Sequence, residues 1–373
     1  MSFLIESLEL SRFRSYERAR LCFSPDLTII TGPNASGKTN CIEALQLLTE
    51  GDSFRTTNWR DLPLWGFDRA RATLHATDQG RERSVTLYVE EGRRRYQVNG
   101  KAIRGSGTLA GCIPCVLFTP ADLRLVRESA AQRRDELDEL GSQISHGYLR
   151  LRQEYKKILQ QRNRLLKDEQ WTGPVFEAWT ERLIEVGVSL TQRRIALFEQ
   201  LSPALVEAYA RIDPDCALEV RYATDWACEP DVSPDQETLR RALQAATDAE
   251  RARRSTVVGP HHDDLLFILG GQSARQFASQ GQQRSIALAT KIAEIDVISA
   301  LTGARPLLLL DDVMSELDER RRMALTEYVG ATVQTVITTA NIDYFHPELL
   351  KRAALIDVTK LERDNGTERS ATL

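Results

Sequence analysis

The sequence lacks the features by which a chain enters or crosses a membrane. No uninterrupted run of about 18 apolar residues is present, which is the length that one helix needs to span a bilayer. The first residues do not follow the order of basic, apolar and small residues that directs secretion. We therefore expect a soluble, cytoplasmic protein with no membrane partner.

The cysteines do not form a recognisable metal or disulfide pattern. Six are present, scattered at positions 22, 41, 112, 115, 216 and 228, mostly within apolar segments. Cys112 and Cys115 form a C-x-x-C pair, but no second pair at zinc-like spacing accompanies them, and a strand-like segment follows directly. Buried thiols in a reducing compartment are predicted, and a metal or redox role is the alternative.

An excess of basic residues is also absent. The 373 residues carry a formal net charge of -4, so overall charge does not indicate nucleic acid, although 49 lysines and arginines leave room for local basic patches. No internal repeat or low-complexity tract is present. A hydrophobic content of 42% supports a large core, and the length indicates two domains or one domain with an insertion.

What is present is a complete phosphate-binding loop. The pattern G-x-x-x-x-G-K-[ST] follows the β-branched segment 27–30 and precedes residues 41–48, whose apolar positions recur with helical spacing. Its glycines let backbone N–H groups curl around phosphate oxygens, the lysine reaches the β- and γ-phosphates, and the threonine hydroxyl binds Mg²⁺. The residues predicted to bind a nucleoside triphosphate are Gly32, Pro33, Asn34, Ala35, Ser36, Gly37, Lys38, Thr39 and Asn40.

The chain divides into three segments by pattern. Residues 1–120 are β-rich around one helix, with an Asn99-Gly100 hairpin turn. Residues 121–254 have helical periodicity, with long helices at 144–167 and 176–212, the second interrupted at Ser202-Pro203. Residues 255–373 return to strand and helix alternation. This order predicts an α/β domain, with a mixed sheet and an antiparallel β subdomain, into which a helical arm is inserted.

A pair of carboxylates closes an apolar strand pattern in the last segment. Four leucines, at positions 307–310, precede Asp311 and Asp312, as expected for a strand buried on both faces of a parallel sheet. Asp311 is predicted to hold Mg²⁺ together with Thr39. Asp312 is predicted to orient or deprotonate the attacking water, and Lys38 to neutralise phosphate charge.

These motifs together resemble the SMC and RecF group of ATP-binding-cassette ATPases and, in detail, its RecF branch. The resemblance covers nearly the whole chain. It is carried by residues 32–39, 279–284 and 307–312, by Ser315-Glu316-Leu317-Asp318, and by the segments 10–16, 133–138, 161–166 and 259–264.

The resemblance implies an ATPase fold whose cofactors are ATP and Mg²⁺ and whose nucleotide site is completed by a second copy of the chain. Ser279, with Gly281 and Gln282, would contact the nucleotide of the partner copy, and Asp318 would reach across the dimer. A serine at a helix start can present a hydroxyl and free N–H groups to a γ-phosphate, and Ser279 is also a good helix N-cap.

Three departures from the family pattern affect the expected rate and contacts. Asp312 stands where a glutamate is more common, no histidine follows the strand pattern that ends at Thr339, and His262 replaces an arginine. A displacement of about 1 Å can cost on the order of a hundredfold in rate. We therefore expect slow ATP hydrolysis, with Thr339 or Asn341 in the place of the usual histidine.

The resemblance also implies partners. Members of the branch bind duplex DNA near single-strand gaps on ATP-driven dimerisation, with mediator proteins of the RecO and RecR type, and help to load a recombinase. Binding would be to backbone and shape with low sequence specificity. The candidate basic clusters are residues 93–95, 133–134, 193–194, 251–254 and 320–322.

Two other functions use the same nucleotide motifs. A transporter ATPase subunit would carry a Leu-Ser-Gly-Gly-Gln signature and a histidine after the last strand pattern, which this chain does not have. A structural SMC-like tether would need coiled coils of hundreds of residues with sustained heptads, and residues 121–254 are too short for that. A small-molecule kinase is a third alternative, without a second substrate motif to support it.

Overall fold

The computed structural model describes residues 3–78, 80–103, 109, 113–227, 234–329 and 333–361. The strands are Phe3–Phe13 (β1), Tyr16–Cys22 (β2), Leu27–Thr31 (β3), Arg69–Asp78 (β4), Arg81–Glu90 (β5), Arg93–Val98 (β6), Lys101–Ile103 (β7), Cys115–Phe118 (β8), Leu218–Ala223 (β9), Asp264–Leu269 (β10), Gln272–Ser273 (β11), Leu307–Asp311 (β12), Thr335–Thr339 (β13) and Ala354–Asp357 (β14). The α-helices are Lys38–Thr49 (α1), Ala130–Ile144 (α2), His146–Lys167 (α3), Pro174–Ile212 (α4), Gln236–Ala245 (α5), Thr247–Arg253 (α6), Ala274–Phe277 (α7), Gln280–Thr302 (α8), Glu319–Val329 (α9) and Pro347–Arg352 (α10).

The chain forms two compact units. Unit 1 consists of Met1–Asp122 and Ile298–Leu373, and unit 2 of Leu123–Val297. The sequence pattern places the end of the inserted segment at residue 254 instead. Residues 264–269 nevertheless belong with unit 2, because β10 pairs antiparallel with β9 over its whole length. A strand is assigned to a unit by its pairing partner, which the local pattern does not reveal.

Unit 1 contains a parallel sheet in the strand order β14-β3-β13-β12-β8. Every residue of β12 and of β13 is buried, as an apolar strand covered on both faces requires. Helix α1 packs against β12 and β13. The α/β class predicted from the sequence is confirmed, and the carboxyl ends of β3, β12 and β13 lie side by side at one edge of the sheet.

A second sheet of unit 1 is antiparallel, in the order β2-β1-β4-β5-β6-β7. Its inner face is apolar and belongs to the same core as α1, while its outer face is polar. The predicted Asn99-Gly100 turn joins β6 to β7, with φ of 50° and 74° at the two residues, as a two-residue hairpin turn requires.

Unit 2 contains helices α2 to α7, the first part of α8 and the antiparallel sheet β11-β10-β9. The predicted interruption of the second long helix at Ser202-Pro203 is wrong, because α4 continues from Pro174 to Ile212 with Pro203 inside it. A proline removes one helical hydrogen bond. Leu201 and Leu205, which flank Pro203, are both buried, and this apolar burial keeps the helix in place.

Among the helices of the described residues, none combines the length and the apolar character needed to cross a membrane.

Candidate nucleotide-binding site

The predicted phosphate-binding loop connects β3 to α1 in unit 1. Gly32 and Gly37 have φ of 153° and 108°. A Cβ atom at Gly32 would lie 2.7 Å from the Ser36 Oγ, and one at Gly37 would lie 2.8 Å from the Ser15 Oγ. Both glycines are therefore required by the close approach of neighbouring atoms as well as by their backbone angles.

Lys38 closes over the loop from the first residue of α1. Its Nζ donates hydrogen bonds to the carbonyl oxygens of Gly32 and Pro33, at 2.8 and 2.9 Å, and the residue is 6% exposed. The Ser36 hydroxyl is buried and has no hydrogen-bond partner among the described residues. A buried, unpaired hydroxyl beside a lysine ammonium and a helix N-terminus fits a phosphate group.

The remaining loop residues lie at the surface or support the helix. Pro33, Asn34 and Ala35 are exposed at the loop tip, with Ala35 in the left-handed region at φ 64°. The Asn40 amide nitrogen donates to the Ser15 hydroxyl at 2.8 Å and its oxygen accepts from the Arg55 guanidinium at 2.7 Å. Asn40 thus fixes the base of the loop.

Thr39 and Asp311 meet as the sequence predicts. The Thr39 Oγ1 donates to the Asp311 Oδ1 at 3.0 Å, and the Thr338 Oγ1 donates to the same oxygen at 2.7 Å. Asp311 is 5% exposed, and burial raises the pKa of its carboxyl above the usual value. A hydroxyl beside a buried carboxylate provides two oxygen ligands of the kind that Mg²⁺ prefers.

Thr338 is a site residue that the motifs did not reveal. It stands directly opposite Asp311 in the parallel pairing of β12 with β13. Its hydroxyl also accepts from the Asp312 backbone N–H at 3.0 Å. The role of Thr338 is visible only in the register of the pairing between β12 and β13, because a threonine at the end of a buried strand has no distinctive sequence pattern.

Asp312 follows β12 in a left-handed backbone conformation, at φ 52°. Such a conformation turns the chain sharply, and among residues other than glycine it is found mostly at asparagine, aspartate and histidine. Burial raises the pKa of the Asp312 carboxyl, and the positive charge of Lys38 opposes that rise. A half-buried carboxylate that interacts electrostatically with the Lys38 ammonium can orient a water molecule.

Thr339 and Asn341, the two residues considered for the place of the missing histidine, form a turn after β13. The Thr339 hydroxyl donates to the Asn341 carbonyl oxygen at 2.9 Å and accepts from the Asn341 backbone N–H at 3.1 Å. Asn341 is exposed and caps the short helix that follows. Both side chains are therefore engaged locally, and only that of Asn341 faces solvent.

A buried carboxylate that the motifs also missed holds the surroundings of α1. Glu43 has a fully buried side chain and accepts two hydrogen bonds from Arg14, at 2.7 and 2.5 Å. It also accepts from the Ser53 hydroxyl at 2.6 Å and pairs with Arg55 at 3.4 Å. The network joins the β1–β2 turn to the segment after α1, and it holds the partly exposed Arg55 beside the nucleotide loop.

Ser279, Gly281 and Gln282 begin helix α8 in unit 2. Ser279 caps the helix as predicted, since its Oγ accepts from the Gln282 backbone N–H at 3.2 Å. In return, the Gln282 side-chain oxygen accepts from the Ser279 backbone N–H at 2.9 Å, which completes a capping box. Ser279 is exposed, so the serine is available to a second molecule.

Asp318 has a capping role in unit 1. Its carboxylate accepts from the Arg321 backbone N–H at 3.0 Å and pairs with the Arg321 guanidinium, at the start of α9. The residue is exposed. The structure thus brings Lys38, Thr39, Asp311 and Asp312 together, while Asp318 lies on the surface.

Two of the predicted basic clusters contribute buried ion pairs of unit 2. Arg133 is 2% exposed and pairs with Asp264 at 2.7 Å. Arg194 is 4% exposed and pairs with Asp138 at 2.8 Å. These two arginines hold the unit together and are not accessible to nucleic acid.

The segment 259–264, one of those that carry the family resemblance, packs partly into the core of unit 2, with Gly259, Pro260 and Asp263 buried. Asp263 is fully buried and accepts hydrogen bonds from the Tyr222 and Thr191 hydroxyls, while burial raises the pKa of its carboxyl. His261 is largely buried and His262 is exposed. The buried residues of the segment therefore stabilise unit 2.

His261 is held in its neutral form. Its Nε2 lies 3.1 Å from the Thr256 carbonyl oxygen and its Nδ1 lies 2.7 Å from the Tyr155 hydroxyl. Because a carbonyl only accepts, Nε2 carries the hydrogen and Nδ1 accepts from Tyr155. Burial, together with electrostatic interactions with the nearby His262, Arg134 and Arg162, lowers the pKa of His261 from 6.5 to about 4.

Unit 2 is accordingly expected to lose stability as pH falls from about 6.5 to about 4. In that window the unfolded chain binds a proton at His261 that the folded unit excludes, so folding becomes less favourable, by up to roughly 3 kcal/mol. The substitution His261→Gln removes the titrating group and should flatten this dependence. Hydrogen exchange of the α3 amides, corrected for the intrinsic rate at each pH, measures it.

The exposed His146, at the start of α3, is the matched control for His261. His146→Gln should leave the dependence on pH as it is in the wild type. An equally steep loss of protection in His261→Gln would contradict the assignment to His261.

The C-x-x-C pair is described in part. Cys115 in β8 and Cys41 in α1 are buried thiols that form no disulfide. Burial raises the pKa of the Cys41 thiol to about 12. Cys112 and Cys228 lie outside the described residues, so the predicted absence of a metal or redox role for the pair stays a prediction.

Comparisons with known proteins agree with these motifs over nearly the whole chain. A family model described as the RecF/RecN/SMC N terminal domain matches residues 4–363. The chain is 36% identical over 369 residues to a DNA replication and repair protein RecF of Heliobacterium modesticaldum, covering 97% of this chain and 99% of that protein. A RecF of Thermosynechococcus vestitus is 37% identical, covering 95% of each chain.

Solved structures give the same result at the level of the fold. The recombination mediator protein RecF with ATP, of the RecFOR pathway, matches with a TM-score of 0.85 and 29% identity over 92% of this chain and 94% of that chain. An Smc head domain of Pyrococcus furiosus matches with a TM-score of 0.54 at 18% identity, over 94% of this chain and 92% of that chain. The second likeness concerns the fold alone.

Proposed function

This chain belongs to the RecF/RecN/SMC family, and from that premise we propose that it is an ATP-dependent, DNA-binding protein of the RecF type that acts in DNA replication and repair. The observation that carries the proposal is the hydrogen bond between Thr39 and the buried Asp311, at 3.0 Å, beside the loop closed by Lys38. A phosphate loop in contact with a strand-end carboxylate is the arrangement that phosphoryl transfer from a nucleoside triphosphate requires.

ATP is bound, in this proposal, by residues 32–40. Lys38 exchanges its two carbonyl partners for the β- and γ-phosphate oxygens, and the unpaired Ser36 hydroxyl donates to a phosphate. The Thr39 hydroxyl and the Asp311 carboxylate would hold Mg²⁺, which supplies neutralisation of phosphate charge when bound. Thr338 keeps the Asp311 carboxylate in position.

Hydrolysis relies on Asp312 as the residue that orients the attacking water. Its backbone is fixed by hydrogen bonds from its N–H to the Thr338 carbonyl oxygen and hydroxyl, at 3.2 and 3.0 Å. The side chain is one methylene shorter than a glutamate, so the water is less closely held. This supports slow ATP hydrolysis, so that the lifetime of the ATP-bound state sets how long the protein holds DNA.

A second copy of the chain completes the site in this proposal. Ser279, Gly281 and Gln282 stand at the start of a long helix, where N–H groups and an exposed hydroxyl favour an anion. They would contact the γ-phosphate held by the partner copy, and the exposed Asp318 would contact the partner copy as well. Dimerisation would then depend on ATP.

The bound partner is duplex DNA near single-strand gaps, recognised with low sequence specificity, and the mediator proteins are of the RecO and RecR type. Relatives named as DNA replication and repair proteins, and a relative of the RecFOR pathway, support this assignment. The dimer would help to load a recombinase, and hydrolysis would release it. Action in the cytoplasm is part of the same proposal.

The proposal is tested by gel filtration and DNA binding of the full chain with ATP, with ADP and without nucleotide. The wild type is expected to dimerise and to bind DNA only with ATP. Ser279→Arg should keep nucleotide binding and lose both dimerisation and DNA binding, because a bulky cation replaces the hydroxyl at the interface.

Ser129 offers a matched control in the same unit. It is also an exposed N-cap serine, at the start of α2, and accepts from the Gln132 backbone N–H. Ser129→Arg should behave as the wild type. A wild-type chain that stays monomeric with ATP, or a Ser279→Arg variant that still dimerises, would contradict the proposed dimer.

A further inference from the structure

The outer face of the antiparallel sheet in unit 1 carries arginines in one row. The register places Arg18 opposite Ser11, Ser11 opposite Arg71, Arg71 opposite Tyr88 and Tyr88 opposite Arg95. The row therefore crosses β2, β1, β4, β5 and β6 at right angles to the strands. The three arginines are exposed, and Tyr88 and Ser11 are half-buried between them.

These arginines are separated in the sequence and adjacent only through strand pairing. On each strand the neighbouring side chains point inward, as Ala19, Ala72 and Tyr96 do in the core. The outer face is therefore formed by every second residue, and the cluster does not appear as a run of basic letters.

The row lies along a groove of about 320 Å³ that is also lined by Arg12 and Arg69. Arg69 pairs with Glu90 at 2.8 Å. Across the described residues, no carboxylate lies within 4 Å of the Arg18 or Arg71 guanidinium. Five arginines line this groove against two carboxylates, Glu17 and Glu90, so it carries a net positive charge that an anion would neutralise.

The spacing suits a repeated anion. Neighbouring strands lie about 4.8 Å apart, so Arg18, Arg71 and Arg95, each two strands from the next, are spaced by roughly 10 Å. The two strands of a B-form duplex together carry one charge per about 1.7 Å of helix axis, so its phosphates are dense enough for one to lie near each of the three arginines. A polymer of phosphates can therefore satisfy all three arginines at once.

An exposed tryptophan lies on a turn fixed to the same groove. Trp65 is 96% exposed, so its ring makes almost no packing contact. The turn is held to β1 by the Leu64 N–H, which donates to the Arg12 carbonyl oxygen at 2.8 Å, and the Arg12 guanidinium lies 4.6 Å from the centre of the Phe67 ring. An aromatic side chain without a structural role, beside a groove of arginines, is the arrangement by which proteins stack unpaired bases.

We propose that this outer face binds the sugar-phosphate backbone of nucleic acid through Arg18, Arg71 and Arg95, and that Trp65 stacks on an unpaired base at the margin of the groove. The inference rests on the proposed function and gives its DNA a location in unit 1. It assigns the proposed preference for DNA near single-strand gaps to the side chain of Trp65.

An acidic protein surface is the other class of partner that arginines attract. Protein interfaces place tryptophan near the centre, within a ring of residues that exclude water. Here the groove is lined largely by charged and polar side chains, and the exposed Trp65 is not one of them but lies on the turn that is bonded to Arg12. The geometry therefore favours nucleic acid as the partner, with its phosphate backbone in the groove and an unpaired base at Trp65.

The test uses the full chain with ATP and Mg²⁺, and measures fluorescence anisotropy of a blunt duplex and of the same duplex with a single-stranded tail over a salt series. The double variant Arg18→Ala/Arg71→Ala should bind both DNAs about tenfold more weakly or worse. The slope of log affinity against log salt should become shallower by about 2, since two phosphate contacts are lost.

A matched control removes two charges from the opposite end of the same sheet. Arg81 and Lys101 are exposed, and Arg81 is seven residues along β5 from Tyr88, which is about 23 Å. Arg81→Ala/Lys101→Ala should keep the wild-type affinity and slope. Equal effects of the two double variants would overturn the proposed site and leave the proposed function standing.

Trp65 is tested separately. Trp65→Ala should lose about tenfold in affinity for the tailed duplex and leave the blunt duplex unchanged, while Trp65→Phe should keep most of the preference. An unaltered preference in Trp65→Ala would overturn the stacking role.

Two further outcomes separate the proposals. If the wild type binds neither DNA in any nucleotide state, the proposed function itself is wrong. If DNA binding is unchanged in Arg18→Ala/Arg71→Ala but binding to poly-glutamate is lost, the face is a surface for an acidic protein and the nucleic-acid site is overturned.

Discussion

Replacing Asp311 with asparagine is expected to lower Mg²⁺-dependent ATP hydrolysis by about a hundredfold or more while the chain remains folded. Asparagine has the same shape, and its Oδ1 can still accept from Thr39 and Thr338, as the aspartate does at 3.0 and 2.7 Å. What is lost is the negative charge that would hold the cation. Groups that stabilise developing charge in a closed site commonly contribute factors of about 10² to 10³.

The measurement is steady-state hydrolysis of ATP with Mg²⁺, together with binding of ATP in EDTA. Binding without the metal should be kept, because Lys38 and the loop are unchanged. Asp26→Asn is the control, since Asp26 is exposed and precedes β3 at the opposite edge of the same sheet. Hydrolysis that persists in Asp311→Asn at the rate of the control would remove Asp311 from the site.

The parts of the site that the sequence predicted are those encoded by contiguous residues. The phosphate loop needs glycines, a lysine and a threonine at fixed spacing on one turn, so the sequence motif alone predicts the loop. The four leucines that precede Asp311 predict the strand that ends at this carboxylate. Thr338 and Glu43 have no such signal, because their roles depend on strand register and on the burial of α1.

The fold was predictable to the same extent and for the same reason. The apolar strands and the P-loop helix read directly as an α/β unit, and the Asn99-Gly100 turn specified its hairpin. The continuity of α4 through Pro203 depends on packing within unit 2, which outweighs the local cost of proline. The membership of β10 in unit 2 depends on its pairing with β9.

The arginines show most clearly where sequence patterns stop being informative. Arg133 and Arg194 belong to basic pairs in the sequence but are buried in ion pairs. Arg18 and Arg71 do not belong to any predicted cluster, yet they share one face with Arg95. Whether an arginine can contact a partner or instead stabilises the fold depends on the alternation of side chains along its strand and on its burial.

Arg162→Ala is expected to have the largest effect on stability, destabilising unit 2 by about 3–5 kcal/mol. Arg162 is 2% exposed and donates two hydrogen bonds to Glu250, at 2.8 and 2.6 Å, one to Thr256 at 2.7 Å and one to Thr180 at 3.1 Å. These contacts join α3 to α4 and α6. Removing the guanidinium leaves the Glu250 carboxylate, itself 3% exposed, without its cation. Urea unfolding followed by tryptophan fluorescence, to which Trp171, Trp179 and Trp226 of unit 2 contribute, measures the loss.

Two comparisons separate the cost of a buried, unpaired charge from that of a shortened side chain. Arg164→Ala removes an exposed arginine of the same helix, whose ion pair with Asp168 at 3.8 Å is solvated, and should cost at most about 0.5 kcal/mol. The double variant Arg162→Leu/Glu250→Leu removes both charges and should recover much of the stability, because an apolar pair of similar volume often replaces a buried ion pair at little cost. If the double variant were no more stable than Arg162→Ala, the loss would come from packing against the Phe176 ring, over which the guanidinium lies at 4.8 Å, instead of from the orphaned carboxylate.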